Sequence, residues 1–474
     1  MKFNNLQTFL FYDYETFGTN PYLDKPAQFA CIRTDMNLNI IDNPNCFYCF
    51  PPDDYLPDPE SILITQITPQ YTKKNGVNEY YFSKKIYKIF MQSNTCILGY
   101  NNINFDDEIT RNIFYRNFFD PYEWSWKNNN TRWDILSLLR ACYALRPNGI
   151  QWPKNKLGLP SFKLSDLTRL NDITHLNAHN AISDVYATIE IAKLVKKKQP
   201  KLFNFFFTHR VKKKLYTLIN IPELTPLVYI SSVFGAVRNN ISCIMPIIWD
   251  KNNSNILISI DLFANVQELI ILVNNTKLEV DILKKLFNLG IKLLYFNRCP
   301  MLAPIQVLRI IDFDRLNWNY SIYKKNINLL KKNINIFKKI QAFLSKKNKN
   351  ELSVNVDTQI YNAFFDSYDK ILINQIRNTH VNSLKNSFIN FHDSRLKEIF
   401  FRYRARNFFY SLCDNEKKLW FDHCRNIFNN QFLKEYKNKI NLLYQEYLHD
   451  KNKILLLQEI LNYFFYITKN YPEK

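Results

Sequence analysis

The sequence predicts an α/β domain with a central mixed sheet over residues 1–200, a β-rich domain over 201–350 that ends in a basic helix, and an all-α domain over 355–474. Three observations lead there. Short apolar runs alternate with amphipathic helical periods through the first 200 residues, the pattern of strands with helices packed on them. Apolar, strand-like runs then dominate, with few helical periods between them. From residue 322 helical periodicity takes over, interrupted by the polar stretch "SKKNKNELS" at 345–353, which reads as a linker. A chain of 474 residues is too long for one core, so about two to four domains are expected.

In chain order, "TFLFYDYE" (8–15), "AQFACIRTD" (27–35) and "CFYCF" (46–50) have the length and apolar content of strands. "NEYYFSKKIYKIFMQ" (78–92) has a helical period, "TCILGYNN" (95–102) is a further strand, and "DEITRNIFYRNFF" (107–119) is the helix after it. "RWDILSLLRACYAL" (132–145) and "ISDVYATIEIAKLVKKK" (182–198) are strongly amphipathic helices. Beyond them "PLVYISSVFGAV" (226–237), "NILISIDLF" (255–263) and "IKLLYFNRCP" (291–300) read as β, and "TKLEVDILKKLFNL" (276–289) as helix. In "YKKNINLLKKNINIFKKIQAFL" (323–344), Ile327, Leu330, Ile334, Phe337 and Leu344 share one side. Lys324, Lys331 and Lys338 recur every seven residues, as do Lys325, Lys332 and Lys339, which makes a basic stripe. Such a stripe is either a solvated face or a phosphate track, and the sequence leaves both open.

The formal net charge is +21 and the aromatic content is 16%. That charge points to a polyanionic partner, nucleic acid or an anionic membrane surface, unless it is only a solvated surface. Nine cysteines follow no disulfide framework, which suits a reducing cytoplasm. The one close pair, Cys46 and Cys49, lacks the second pair a zinc site needs and reads as packing. The apolar run near the N-terminus contains Asp13 and no cleavage signature, so it is not a signal peptide. No apolar stretch reaches the ~18 residues of a membrane span.

The acidic residues carry the chemistry. Asp13 and Glu15 stand two apart on a strand and so share a face. Like charges held side by side are costly unless a cation sits between them. Carboxylates suit hard divalent ions such as Mg²⁺ and Mn²⁺. Two further acids fall at helix starts, Asp106 just past a strand and Asp184 in the first turns of a helix, with His179 five residues before Asp184. Each alone is commonplace, since an acid at a helix start is usually a cap; the combination is not.

Asp13-Tyr14-Glu15-Thr16, Asn102-Ile103-Asn104-Phe105-Asp106 and His179 with Asp184 resemble the three-motif signature of the DEDD exonucleases, the proofreading-exonuclease superfamily, in its histidine subclass. The stretches "FLFYDYETFGTNPYLDKPAQFACIRTD", "CILGYNNINFDDEITRNIFYRNFFDPYEWSW", "RWDILSLLRACYALRP" and "FRYRARNF" resemble the bacterial exodeoxyribonuclease I family over nearly the whole chain, least well at 250–295. The resemblance implies a ribonuclease H-like exonuclease domain, an SH3-like domain and a helical C-terminal domain. It implies processive removal of 5′-mononucleotides from the 3′ end of single-stranded DNA, in DNA repair and recombination. Asp13, Glu15, Asp106 and Asp184 would hold two Mg²⁺ ions, for which Mn²⁺ substitutes, roughly 3.5–4 Å apart, and His179 would act as general base.

The same resemblance places Glu15 and Lys163 at the terminal nucleotide, where Lys163 replaces a family arginine and loses its bidentate fork. Arg111, Tyr122, Trp126, Arg140 and Lys212 fall where the family contacts DNA; core packing is the competing reading for the two aromatics. Arg146 and Arg309 match the basic side of a groove that docks the acidic C-terminal tail of single-stranded DNA-binding protein, in which a family glutamine is Pro304 here. Gln66 replaces a glycine of "ITGITP", and Asn180 stands where Asp commonly follows the histidine. Arg402 and Arg406 either line the DNA channel or brace the C-terminal domain. The chain is expected to be a cytoplasmic monomer without membrane attachment. Two alternatives remain: a trimming or proofreading nuclease of the same superfamily, told apart by comparing DNA with RNA oligomers, and a non-catalytic single-strand binder, told apart by the absence of metal-dependent product.

Overall fold

The computed structural model describes residues 7–175, 179–275, 282–345, 354–386 and 389–469. The chain forms two compact units: one comprises Met1–Asn130, Leu176–Tyr186 and Glu351–Lys474, the other Thr131–His175 and Ala187–Asn350. The first therefore joins the N-terminal α/β segment to the C-terminal helices, although they lie far apart in sequence.

In the first unit β1 (Thr8–Thr16), β2 (Pro26–Thr34), β3 (Asn45–Cys49), β4 (Gly76–Val77) and β5 (Thr95–Gly99) lie in the order β4-β3-β2-β1-β5. β1–β2 and β2–β3 are antiparallel, β3–β4 and β1–β5 parallel, so the sheet is mixed as expected. β1 is buried on both faces. Leu10, Tyr12 and Tyr14 enter an aromatic core with Phe29, Phe82, Phe90, Phe114 and Trp124. Phe9, Phe11, Asp13 and Glu15 alternate onto the other face. Cys46 and Cys49 fall on opposite faces of β3, one exposed and one buried, which agrees with packing rather than zinc.

Five long C-terminal helices (Ser367–Asn378, Ser394–Asn407, Asp414–Ile427, Asn430–Glu446 and Lys451–Lys469) pack on this segment. Tyr403 and Phe408 meet Tyr80 edge-on at 5.6 and 5.3 Å, and the Tyr436 hydroxyl donates to the Pro57 carbonyl at 2.6 Å. Arg406 is buried between two carboxylates, Asp54 at 2.7 Å and Asp357 at 2.6 Å; Arg402 binds Asp357 at 3.1 Å. Through these pairs the two arginines brace the unit. Gln66 ends the helix Pro59–Thr65 in the left-handed conformation, φ +59°, with its N–H on the Ile62 carbonyl at 2.7 Å. A glycine is favoured there for that backbone reason.

In the second unit β6 is Thr131–Asp134, and β7 (Leu227–Ile230), β8 (Ile241–Trp249), β9 (Ile256–Asp261), β10 (Ile291–Tyr295) and β11 (Met301–Pro304) form an antiparallel sheet ordered β10-β9-β8-β7-β11. Several expectations change: of 291–300 only β10 is extended, and Val266–Asn275 is an unanticipated helix. Residues 132–134 are strand, and the helix begins at Ile135 because the Asp134 side chain caps it by accepting from Leu136 N–H. β8 is an unanticipated strand. Of 226–237 only β7 is extended, and short 3₁₀ turns follow. The basic helix is two helices, Tyr320–Lys332 and Asn335–Ser345, because Asn333 ends the first by bonding its side chain to the Leu329 carbonyl at 2.8 Å; Ile334, expected on the apolar side, is 59% exposed. Residues 276–281 of the expected helix and 346–353 of the expected linker lie outside the described residues. Among the described residues no helix is long and apolar enough to cross a membrane.

Removing the Arg406 guanidinium leaves Asp54 and Asp357 buried with less compensation. Arg406→Ala is expected to lower the unfolding free energy by about 3–5 kcal/mol in denaturant titration. Lys439→Ala, which removes the more exposed pairs with Asp58 and Glu60, is expected to change it by less than about 1 kcal/mol.

Candidate active site

The site is built at the end of β1, where its parallel pairing with β5 has run out. Pairing stops at Phe11 opposite Leu98, and Asp13 and Glu15 project beyond it. Gly99 ends β5 because a Cβ there would lie 2.5 Å from the Tyr12 carbonyl. Its N–H is taken by the Asn102 side chain at 3.0 Å. Asn102 in turn donates to Asp107 at 3.1 Å, and the Tyr12 hydroxyl donates to the same Asp107 oxygen. The buried acid Asp107 thus locks the turn that starts the helix Asp106–Arg116, and Asp106 is fixed at its first position. Asp106 accepts the Tyr14 N–H at 3.1 Å, which ties it to the strand between Asp13 and Glu15. Neither Asn102 nor Asp107 was singled out for this role from sequence.

Asp184 arrives from the first turn of the helix Ala181–Lys198. That helix start is held by Gln28, which is 1% exposed and lies opposite Glu15 in the β1–β2 register. Gln28 accepts the Ala181 N–H at 3.1 Å and donates to Cys46 Sγ at 3.2 Å and to the Tyr48 hydroxyl at 3.3 Å. As a result Asp13, Glu15 and Asp184 each offer a carboxylate oxygen within 4.8 Å of the others. Among the described residues this is the group of His, Cys, Asp and Glu side chains that meets metal-ligand spacing.

The electrostatics agree. Burial, then the charges of Asp106, Glu15 and Asp184, hold the Asp13 carboxyl well above the usual carboxylate range. Burial, then Asp184 and Asp106, push Glu15 up to about 8. A hard divalent cation prefers oxygen ligands of this type and would offset their mutual repulsion, so the donor set fits such an ion. His179 is exposed, in a left-handed backbone conformation (φ +64°) two residues before the helix. Asn180 Oδ1 is buried without a hydrogen-bond partner among the described residues.

The other residues distribute as follows. Arg111 is 8% exposed and pairs with Glu108 at 2.6 Å and with the Tyr361 hydroxyl at 3.2 Å. Tyr122 lies under Arg111, packs on Phe364 and donates to the Ile360 carbonyl at 3.3 Å. Trp126 is 65% exposed. In the second unit Lys163 is exposed at the start of the helix Leu164–Leu170, Arg140 is half-buried on Ile135–Leu145, and Lys212 is exposed with its ammonium on Asn255 at 2.5 Å. Arg146 and Arg309 both reach the fully buried Asp312, at 3.6 and 3.0 Å. Arg315, not anticipated, reaches it at 3.4 Å, so three cations share one carboxylate. Pro304 ends β11.

Comparison with known proteins follows this layout. Residues 10–192 match the family profile described as Exonuclease, 210–346 that of the Exonuclease I SH3-like domain, and 354–467 that of the Exonuclease I C-terminal domain. The chain is 59% identical over 461 residues to exodeoxyribonuclease I of Buchnera aphidicola subsp. Schizaphis graminum (97% of this chain, 96% of that protein). It is 47% identical over 462 residues to that of Escherichia coli K12 (96% and 97%). Solved structures superpose closely. The E. coli exonuclease I complex with a dA16 oligonucleotide gives a TM-score of 0.92 at 46% identity, covering 97% of this chain and 100% of that one. A zinc-bound E. coli ExoI–ssDNA complex gives 0.92 at 46%, and an ExoI/SSB-Ct complex 0.90 at 45%, each covering 98% of this chain and 100% of that one.

Gln28→Leu removes the acceptor that seats the helix bearing Asp184. It is expected to weaken divalent-cation binding about 10–100-fold in a Mn²⁺ titration. Gln28→Glu, which keeps an acceptor for the Ala181 N–H, is expected to retain more of it.

Proposed function

The chain belongs to the exodeoxyribonuclease I family, and on that premise we propose that it removes 5′-mononucleotides processively from the 3′ end of single-stranded DNA. The observation that carries this reading is the convergence of Asp13, Glu15 and Asp184 on one point beside Asp106. Asp13, Glu15, Asp106 and Asp184 would hold a pair of divalent cations, Mg²⁺ with Mn²⁺ as a substitute. Such ions would supply a lowered pKa to the attacking water and counter-charge to the leaving 3′ oxygen. His179 takes the water's proton, and its exposure lets the imidazole meet solvent and substrate. Tyr14 and Gln28 keep the carboxylates in place from behind.

Glu15 and Lys163 contact the terminal nucleotide. Trp126 offers an exposed ring for base stacking, and Arg140 and Lys212 offer charge to the backbone. Arg111 and Tyr122 act from the side of the C-terminal segment, where Glu108, Tyr361 and Ile360 hold them. Arg146, Arg309 and Arg315 exceed the single charge of Asp312, and that surplus suits the acidic C-terminal tail of single-stranded DNA-binding protein. The three sequence segments correspond to nuclease, SH3-like and helical parts, and the enzyme works as a monomer in DNA repair and recombination. Nine free cysteines, five of them buried among the strands of the two sheets and in the helix Ile135–Leu145, agree with a reducing cytoplasm.

Digestion of 3′- and 5′-labelled single strands is expected to release label first from the 3′ end, with EDTA abolishing release. His179→Ala is expected to slow release about 10²–10⁴-fold while leaving Mn²⁺ binding unchanged. Equal loss from both ends, or release in EDTA, contradicts the proposal. The raised carboxyls also set a pH dependence. Metal-free protein holds a proton on Glu15 up to about 8, and a cation that binds this carboxylate displaces it. Metal affinity is therefore expected to rise with pH to about 8, with proton release seen calorimetrically in two buffers. The metal-free fold gains most from these carboxyls below their unfolded pKa of about 4.3 and loses that contribution as pH climbs through the folded value.

A further inference from the structure

We propose that the two lysine-bearing helices Tyr320–Lys332 and Asn335–Ser345 form a second contact surface for the phosphate backbone of single-stranded DNA, separate from the carboxylate site. The inference rests on the proposed substrate class. All six lysines, Lys324, Lys325, Lys331, Lys332, Lys338 and Lys339, are exposed. No Asp or Glu occurs between Tyr320 and Ser345. Among the described residues no carboxylate pairs with any of the six; Lys339 meets the neutral Asn274 at 3.0 Å, and Lys324 lies 4.5 Å from the centre of the Tyr320 ring.

The opposite side of both helices is fixed. Tyr323, Leu330, Ile336, Phe337, Ile340, Phe343 and Leu344 are buried in the core that includes Ile258 and Ile260 of β9. Asn326 adds a polar anchor, donating to the Leu262 carbonyl at 2.9 Å and the Ala264 carbonyl at 3.1 Å. The lysine face is therefore held outward and cannot turn in. Residues seven apart on one helix stand about 10 Å apart along its axis. Point charges repeated along both helices, with no acidic residue among them, match a repeating polyanion rather than a shaped ligand. An anionic membrane suits the surface less well, because amphipathic binding needs an apolar face to insert and that face is already buried here.

The test is the salt dependence of binding to a long single strand in EDTA, so that no cleavage occurs. Neutralising Lys324, Lys331, Lys332 and Lys338 together to Gln is expected to reduce the slope of log K against log salt by up to about 3, and to weaken binding about tenfold or more at low salt. Binding of a short oligonucleotide of about six residues, enough for the carboxylate site alone, is expected to stay unchanged. The control neutralises four exposed lysines of the C-terminal helices, Lys418, Lys434, Lys437 and Lys451, for the same loss of net charge. An unchanged slope in the first variant, or an equal fall in the control, overturns the proposal and leaves the nuclease reading standing. Loss of binding to anionic-lipid vesicles with an unchanged DNA slope also overturns it. A slope that falls as expected in a protein that releases no nucleotide supports the surface and removes the nuclease reading instead.

Discussion

Electrostatic crowding at the end of β1 is the constraint that organises this molecule. Burying carboxylates beside one another is costly, and a structure that retains the arrangement must over-determine it. The protein does so with neutral anchors. Tyr14 N–H holds Asp106, Asn102 and Tyr12 hold Asp107, and Gln28 holds the helix that brings Asp184. These anchors are neutral: they fix the carboxylates in place without cancelling their charge.

That arrangement needs a rigid background, and the aromatic abundance supplies it. The rings of Tyr12, Tyr14, Phe29, Phe82 and Phe90 pack at centroid separations of 5–6.4 Å behind the strand that carries the acids. The C-terminal helices complete the same core through Phe400, Tyr403 and Phe408 and pin it with the Arg406 ion cluster. A segment over 300 residues away in sequence is thus part of the support for the N-terminal sheet.

Much of this was legible in the chain. Asp13 and Glu15 declared themselves because a two-residue period on an apolar strand is a strong local signal, and Asp106 and Asp184 because acids at helix starts are readable. Gln28 was not, since one amide in an apolar strand gives no hint of what it meets. β8 escaped notice because Pro246 interrupts it; the register shifts just there, between Pro246 and Ile248, a bulge of the kind that tolerates proline. β6 was hidden because its one apolar residue, Trp133, falls into the period of the following helix. The break in the basic helix was masked by Ile334, which keeps the period in sequence yet lies exposed at the junction. Arg111 and Arg406 carried the right charge for a surface role, and only folding reveals that each has a buried acidic partner.

The most direct test of the central claim is anomalous diffraction from crystals soaked in Mn²⁺. The account predicts anomalous density among the carboxylates of Asp13, Glu15, Asp106 and Asp184, and its loss in Asp184→Ala. Density confined to other sites, or absent at saturating Mn²⁺ with the four carboxylates ordered, would contradict it.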